Sequence, residues 1–248
     1  MYIFIIACLV SLITFSSCQQ EVQKPNSVYV NFPQTVKLKA RVISQDSVMF
    51  RYPFRIHIRE DKAVVMDLHA TEYFFHAFSY PDFHYLTSFG RRGDAPEEIL
   101  SAENFRWNGR FLWTLDSNKS ELTRFGFASS SDSLLSLEVV SLDEELLRAL
   151  DFVQYDDSTF IIPDYSGDSR FCLVSRQGKL LRKVGNIPTT NEDALESARP
   201  ALAQAWRSFI DYNPHNGILV AATQLGEVLE IYNLKDSTHI ACIGPNGE

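Results

Sequence analysis

Short apolar runs alternate with turn residues along most of the chain, and these runs recur at a regular spacing. Three fifteen-residue segments align without gaps, and each contains an apolar run, a turn, a second run and a final glycine. The segments are His76–Gly90, Phe171–Gly185 and Glu230–Gly244. Turn residues between β-rich runs are typical of a β-hairpin. The pattern therefore predicts three equivalent hairpins.

The spacing of these hairpins predicts the fold. Gly90 and Gly185 are 95 residues apart, and a weaker copy, Thr123–Leu137, lies midway between them. A repeat of about 48 residues matches a β-propeller blade of four short antiparallel strands. The sequence therefore predicts an all-β fold, a β-propeller of four-stranded antiparallel blades.

Two further apolar runs precede each hairpin and predict the first and second strands of the blade. The second run ends in Asp in three units, at Asp67, Asp116 and Asp164, whereas the fourth ends in Thr223. The paired runs are Phe54–Ile58 with Ala63–Asp67, Asn104–Trp107 with Arg110–Asp116, Asp151–Tyr155 with Thr159–Asp164, and Trp206–Tyr212 with Ile218–Thr223.

A propeller has to join its last blade to its first, because an open sheet edge invites unwanted pairing. The runs Val28–Phe32 and Val36–Ile43 supply additional strand material, and we predict that they close the last blade. The predicted propeller domain, residues 28–248, shows about four blades. We interpret them as part of an incomplete six-bladed propeller, with a complete four-bladed propeller as the alternative.

One segment has helical spacing instead. From Thr190 to Ser208, alanine and leucine recur every three or four residues, which predicts a helical insertion at about residues 190–208. Thr190 and Asp193 resemble a capping box, and Pro200 is expected to kink or divide the helix. The insertion is either a lid over one face of the propeller or a helix that covers apolar surface on its rim.

The first seventeen residues differ from all the others. Tyr2–Phe15 is almost wholly apolar, and Ser16 and Ser17 lead into Cys18. About 14 apolar residues are too few to span a bilayer but are typical of a signal-peptide core. Small residues before a Cys resemble the lipobox of bacterial lipoproteins. We therefore predict a signal peptide at 1–17, a lipidated Cys18 and a tether at 18–27.

This prediction places the protein in the cell envelope, on the periplasmic face or at the cell surface. Phe15 stands where Leu is usual, and no Lys or Arg precedes the apolar core. An uncleaved membrane anchor and a secretory peptide cut elsewhere are therefore the alternatives. Cys172 and Cys242 lie in apolar runs, which favours buried thiols over a disulfide, although an oxidising compartment permits the bridge.

Charge argues against nucleic acid as a partner. The formal net charge is −8, from 31 acidic and 23 basic residues, and no run of Lys or Arg occurs. Nucleic-acid binding requires a basic surface that neutralises phosphates.

The segment Gly90–Glu98, with the sequence GRRGDAPEE, resembles a phrase of a known family. Together with the preceding YLTSF and the motif at Cys18, it resembles the TolB-like six-bladed β-propeller lipoproteins of gut-type Gram-negative bacteria. The resemblance spans about residues 18–248 and implies that this segment closes the first blade. It implies no catalytic residues.

The same segment has a physical interpretation. Gly90 and Gly93 are expected to adopt positive φ, and Pro96 is expected to stiffen the return of the chain. Ion pairs between its arginines and carboxylates would then hold the loop. These residues are Arg91, Arg92, Asp94, Glu97 and Glu98.

In a propeller, the connections between blades lie at the same end as the loops between second and third strands. This end carries the predicted ligand-binding residues. They are Arg91, Arg92, Asp94, Glu97, Asp116 and Asp164, with Asp67 beside them. Several carboxylates are able to bind a cation or to act as acid and base. Alternatively, each Asp caps its own turn.

Other candidate chemistry is weaker. Four histidines fall in the first unit, but their spacing matches no metal site, and we expect neither a metal nor a cofactor. Three tryptophans are able to stack on sugars or to fill the core between blades. The histidines are His57, His69, His76 and His84, and the tryptophans are Trp107, Trp113 and Trp206.

We therefore expect a non-catalytic, lipid-anchored binding module for an envelope protein or a glycan-type ligand. A hydrolase or lyase that uses carboxylates on the propeller face is the alternative. It requires several of Asp67, Asp94, Asp116 and Asp164 to approach within about 5–10 Å of one another. A structural scaffold in an envelope assembly is a third interpretation.

The lipid anchor gives the first testable prediction. Cys18→Ala should abolish incorporation of labelled palmitate and move the protein from the membrane fraction to the soluble fraction, because acyl chains provide the membrane affinity. Cys8→Ala, inside the predicted signal peptide, is the control and should leave labelling unchanged. Undiminished labelling of Cys18→Ala would show that the anchor prediction is wrong.

Overall fold

The computed structural model of this protein describes residues 27–28, 34–43, 46–129 and 131–244. The predicted signal peptide and Cys18 lie outside the described residues, as does the tether up to residue 26. Within the described ranges no helix is long and apolar enough to cross a membrane.

The described residues form seventeen strands and two short helices. The strands are β1 Ser27–Val28, β2 Pro53–Arg59, β3 Lys62–Asp67, β4 Tyr73–Ser79, β5 Tyr85–Arg91, β6 Ala102–Asn108, β7 Phe111–Asp116, β8 Glu121–Phe127, β9 Leu134–Ser141, β10 Val153–Asp156, β11 Thr159–Pro163, β12 Phe171–Ser175, β13 Leu180–Val184, β14 Ser208–Asn213, β15 Ile218–Thr223, β16 Val228–Asn233 and β17 Thr238–Ile243. The helices, here called α1 and α2, are Glu192–Ser197 and Arg199–Ala205.

Strands β2 to β17 form four antiparallel sheets of four consecutive strands, arranged in a ring as the blades of a propeller. We call them blades 1 to 4 in chain order, with the first strand of each nearest the axis. The predicted strands of the four units and all four hairpins are confirmed. Whether the intact protein has six blades stays a prediction.

The prediction for the N-terminal strand is confirmed in part. β1 pairs in parallel with β17, with Ser27 opposite Cys242, and so extends blade 4 as a fifth strand. Residues 34–43 form no strand, and Leu38 is 90% exposed, so the prediction for Val36–Ile43 is wrong. This segment therefore contributes no strand to blade 4.

Large apolar side chains fill the spaces between successive blades. The ring of Phe89 in blade 1 lies 5.1 Å from that of Phe125 in blade 2, and Trp113 lies 5.2 Å from Phe160 in blade 3. Trp113 is 1% exposed and belongs to the core between blades 2 and 3. Burial of such side chains is the main force that holds blades together.

Blades 4 and 1 bury less apolar surface where they face each other. His57 of β2 packs on blade 2. Ile56 and Ile58 lie on the opposite side of the strand, which faces blade 4, and their side chains remain 48% and 47% exposed. On blade 4, Phe209 is 45% exposed. The guanidinium of Arg55 lies 5.4 Å from the Phe209 ring and bridges the two blades.

The helical insertion is confirmed, with one correction. Pro200 lies in the first turn of α2 and divides the segment into two helices. The cap of α1 is Asn191, whose side chain accepts a hydrogen bond from the amide of Ala194 at 3.0 Å, and not Thr190. Buried residues of this segment pack against Val228 of blade 4, so it covers the rim.

A buried ion pair joins blades 3 and 4. Arg170 donates to Glu230 from Nε at 2.9 Å and from Nη2 at 2.6 Å, and Nη2 also donates to Ser208 Oγ. The side chains of Arg170 and Glu230 are 2% and 0% exposed. Tyr232 donates its hydroxyl to the second carboxylate oxygen. Every partner in this network is buried, so loss of either charged residue leaves the other without its counter-charge.

Glu230→Gln should lower the free energy of unfolding by about 3–5 kcal/mol, because it leaves the Arg170 guanidinium buried without a counter-charge. Urea denaturation measures the change. Glu60→Gln is the control, since the Glu60 side chain is 80% exposed, and should change stability by less than about 0.5 kcal/mol. A loss below about 1 kcal/mol for Glu230→Gln would contradict the structural role of the pair.

Candidate functional site

The ring has two chemically different ends. Because strands alternate in direction, the loops between second and third strands lie at the same end as the connections between blades; we call this the upper end. The turns between first and second strands, and between third and fourth, form the lower end. The sequence places its candidate ligand-binding residues at the upper end.

The carboxylates of Asp67 and Asp116 make equivalent contacts at this upper end. Asp67 accepts from the amides of Arg51 and Tyr52, both at 2.7 Å. Asp116 accepts from the amide of Leu100 at 2.6 Å and from the amide of the residue after Leu100. It also accepts from two backbone amides of the turn that follows Asp116 itself. Each carboxylate therefore joins a turn to the segment that enters the first strand of the same blade.

Blades 3 and 4 vary this arrangement. Asp164 accepts from the amides of Ser166 at 3.0 Å and Ser169 at 3.1 Å, and Lys183 Nζ lies 3.3 Å from it. Thr223 takes the equivalent place in blade 4, where its hydroxyl accepts from the amide of Val228 at 3.1 Å. These are contacts of turn-stabilising residues, and a role of Asp116 and Asp164 in ligand binding stays a prediction.

The GRRGDAPEE segment is held mainly by contacts within the upper end. Arg91 Nε lies 3.6 Å from Glu98, and Arg92 donates to the carbonyl of Ala70 at 2.9 Å. Lys119 donates to the carbonyls of Ala95 and Glu98 at 2.6 and 2.8 Å. The arginines thus contribute to loop structure, and Asp94 and Glu97 are exposed.

The two glycines of this segment have different roles. Gly90 has φ +65°, as predicted. Gly93 lies outside the left-handed region, so the prediction of positive φ is wrong there. A Cβ at Gly93 would come within 1.8 Å of Glu98 Oε2, so a larger residue there would require the Glu98 side chain to move.

The axis of the ring is filled by a charged cluster that sequence reasoning missed. Arg106 of β6 donates to Asp151 at 3.0 Å, to Asp211 of β14 at 3.1 Å, and to the carbonyl of Ile210. Asp151 also accepts from the side-chain amide of Asn104 and from the amide of Ile210 at 3.1 Å. These five residues link blades 2, 3 and 4 across the axis.

A cavity of about 260 Å³ opens below this cluster at the lower end. It lies where the inner strands of all four blades end. Its polar lining includes Arg106, Asn108, Gln154 and Asp211, and its aromatic lining includes Trp107 and Tyr212. Trp113 and Phe152 lie behind them in the core. More of its exposed lining is polar than apolar. Convergent polar groups beside aromatic rings make it a candidate small-molecule site.

His57 lines the same cavity and is held neutral. Its ring packs edge-on against Phe105 at 4.8 Å between centroids. Burial, with the positive charges of Arg106 and Arg55 nearby, lowers the pKa of His57 to about 4. At neutral pH the cavity therefore contains an imidazole that is able both to donate and to accept a hydrogen bond.

The remaining sequence candidates lie apart from this cavity. His76 hydrogen-bonds through Nδ1 to Ser88 Oγ at 2.8 Å on blade 1. In the described part of the chain, no group of three or more His, Cys, Asp or Glu is placed to hold a metal ion. Cys172 and Cys242 are not joined by a disulfide. Trp206 is a core residue, at 5% exposed.

The neutral state of His57 predicts an unusual titration. Its imidazole should titrate with a midpoint near pH 4 rather than 6.5 in NMR spectra of the folded protein. The unfolded state then binds more protons between these values, so folding stability should fall by about 2 kcal/mol as pH drops from 7 to 4. His57→Gln should reduce this dependence, whereas exposed His84→Gln should not. A His57 midpoint above 6 would contradict the burial argument.

Several solved structures are similar to this chain. A Bacteroides fragilis protein provisionally described as exported is 8% identical with a TM-score of 0.49, and the match covers 80% of this chain and 73% of that one. A functionally unknown Desulfotomaculum acetoxidans protein is 12% identical with a TM-score of 0.47, covering 74% and 53%. A B. fragilis protein provisionally described as a 6-phosphogluconolactonase is 14% identical with a TM-score of 0.45, covering 76% and 55%.

This chain therefore spans about half the length of the second and third of these structures. No curated protein matches it in sequence. The sequence model of the family described as TolB-like 6-blade propeller-like matches residues 31–248, which is most of the chain. The protein thus belongs to the TolB-like 6-blade propeller-like family.

Proposed function

We propose that this protein is a lipid-anchored propeller of the cell envelope that binds a glycan-type ligand in the cavity at its lower end. The observation that carries the proposal is the lining of that cavity. Trp107 and Tyr212 contribute aromatic rings, and Asn108, Gln154 and Asp211 contribute hydrogen-bonding groups. A sugar offers the complementary surface, with apolar ring faces for stacking and hydroxyl groups around its edge.

The size of the cavity favours a small ligand over a protein partner. A stable protein–protein interface buries about 800 Å² on each side, and a cavity of about 260 Å³ is too small to contribute more than a part of that area. The Asp211 carboxylate accepts from Arg106 and stays 77% exposed, so it is oriented and still accessible to a hydroxyl group.

Binding is favoured over hydrolysis by the placement of the carboxylates. A glycosidase requires two carboxyl groups that face the scissile bond about 5–10 Å apart. Asp211 is the one carboxylate among the described residues that line the cavity. Asp67, Asp116 and Asp164 accept hydrogen bonds from backbone amides at the other end of the ring.

The proposal includes the predicted anchor. A lipid at Cys18 would keep the propeller at a membrane surface, where a glycan binder is retained close to its ligand. Family membership is consistent with an envelope location.

A glycan array followed by calorimetry tests this function. The expected result is saturable binding of an oligosaccharide. Tyr212→Ala should weaken it about fivefold through loss of one stacking contact of about 1 kcal/mol. Asp211→Asn should weaken it about tenfold or more through loss of a charge-assisted hydrogen bond. Asp82→Asn, an exposed carboxylate at the same end, should leave the affinity unchanged.

Two outcomes would contradict the proposal. One is the absence of binding to any glycan by the folded protein. The other is weaker glycan binding in Arg92→Gln or Asp94→Asn, with unchanged binding in Tyr212→Ala and Asp211→Asn. That result would place the ligand at the upper end, where the sequence predicts the ligand-binding residues.

A further inference from the structure

A second cavity, of about 420 Å³, lies at the upper end on blade 1. Its walls come from the segment before β2, the loop between β3 and β4, and the two outer strands β4 and β5. Its exposed lining is mainly polar. Among the described residues it shares no lining residue with the lower cavity, so it is a separate candidate site.

Three side chains of this lining meet at the hydroxyl of Ser88. Ser88 Oγ lies 2.8 Å from His76 Nδ1 and 2.9 Å from the hydroxyl of Tyr85. His76 of β4 is directly opposite Ser88 of β5 in the antiparallel ladder, so the strand register itself brings the two side chains together. A serine hydroxyl within hydrogen-bonding reach of an imidazole is the arrangement that activates serine as a nucleophile.

His76 is placed to act as the base of this pair. It is 7% exposed, and its ring packs edge-on against Phe50 at 5.4 Å between centroids, which restricts its orientation. Burial lowers the pKa of His76 from its usual 6.5, while the Asp67 carboxylate and the backbone of Tyr73 act in the opposite direction. The imidazole is therefore neutral at pH 7. In the tautomer with its proton on Nε2, it accepts the Ser88 proton at Nδ1.

Tyr85 supplies the hydrogen-bond donor that a reaction at Ser88 requires. When the Ser88 proton is directed to His76, the Tyr85 hydroxyl is the donor in its own contact with Oγ. Attack of Oγ on a carbonyl carbon makes an oxyanion on that same carbon, so a donor that reaches Oγ also reaches the oxyanion. Tyr85 is 38% exposed, which leaves the cavity accessible from solvent on this side.

The lining also indicates the class of substrate. A mainly polar wall offers little apolar surface to a long acyl chain, and so favours a short one. The charged residues of the lining carry both signs, with no excess of positive charge that would select a phosphate ester. They are Arg51, Asp67 and Glu72. A short-chain carboxylic ester of a polar alcohol fits this lining.

We propose that Ser88, His76 and Tyr85 form an esterase site that removes acetyl groups from polar alcohols, such as O-acetylated sugars. Ser88 Oγ attacks the carbonyl carbon while its proton passes to His76 Nδ1, and Tyr85 donates to the oxyanion. The bond from the carbonyl carbon to the alcohol oxygen then breaks, and the alcohol leaves with the proton from His76. Water attacks the acetylated Ser88 and gives a proton to His76. The bond to Oγ breaks, Ser88 recovers that proton, and acetic acid leaves.

Steady-state hydrolysis of p-nitrophenyl acetate by the full chain tests this site. Hydrolysis should be saturable, and p-nitrophenyl octanoate should react about tenfold more slowly because its long chain lacks an apolar pocket. Ser88→Ala and His76→Gln should each lower kcat/KM about 100-fold or more, through loss of the nucleophile and of the base. Tyr85→Phe should lower kcat about tenfold or more with KM nearly unchanged, because its hydroxyl acts in the transition state.

The matched control is Ser136→Ala. Ser136 is an exposed serine on β9, the fourth strand of blade 2, as Ser88 is on the fourth strand of blade 1. This variant should stay within about twofold of the wild type, as expected for a surface substitution. In the wild type, kcat/KM should rise with pH through a midpoint below 6.5, because the reaction requires neutral His76.

Covalent labelling of the wild type does not depend on the folding of any variant. A fluorophosphonate probe should add its mass to the peptide that contains Ser88, since such probes react with activated serines. Absence of hydrolysis by the wild type, wild-type activity in Ser88→Ala, or labelling at a different serine would each overturn the proposal.

Discussion

The inner strands of four sheets converge on an axis that is too narrow to be left open, so the groups that meet there have to satisfy one another. Arg106 donates hydrogen bonds to the carboxylate of Asp151, to the carbonyl of Ile210 and to the carboxylate of Asp211. Asp151 in turn accepts from the amide of Ile210. A buried charge is tolerated when it is paired and hydrogen-bonded, and here the Nη atoms of Arg106 are paired while its Nε has no partner among the described residues. The positions of three blades, and the floor of the cavity, depend on this cluster.

The cluster also divides the molecule chemically. Below the cluster, polar side chains at the ends of the inner strands line the cavity, together with aromatic rings. Above it, the aspartates at the ends of the second strands are occupied by backbone amides. The two ends therefore offer different chemistry, with hydrogen-bonding groups and aromatic rings available below and carboxylates already bonded to the backbone above.

The sequence was sufficient to predict features that depend on local chemistry. Hairpin turns, the strands around them and the recurrent Asp could be predicted because each arises from residues close together in the chain. The division of the helical insertion followed from Pro200. Asn191 was missed as the cap because Thr190 and Asp193 gave an equally good local pattern.

The axial cluster could not be predicted in this way. Arg106 and Asp211 are 105 residues apart, and their contact depends on which blades face each other across the axis. A charged residue inside a predicted inner strand was the available signal, since such a side chain has to find a partner.

The aspartate contacts at the upper end have a consequence for how this propeller tolerates change. Asp67 and Asp116 bind amides fifteen and sixteen residues earlier in the chain, so blades 1 and 2 each align their own first strand. The alignment then does not depend on the length of the connection from the preceding blade. The connection that enters blade 2 is therefore free to change in length or sequence without disturbing the register of that sheet.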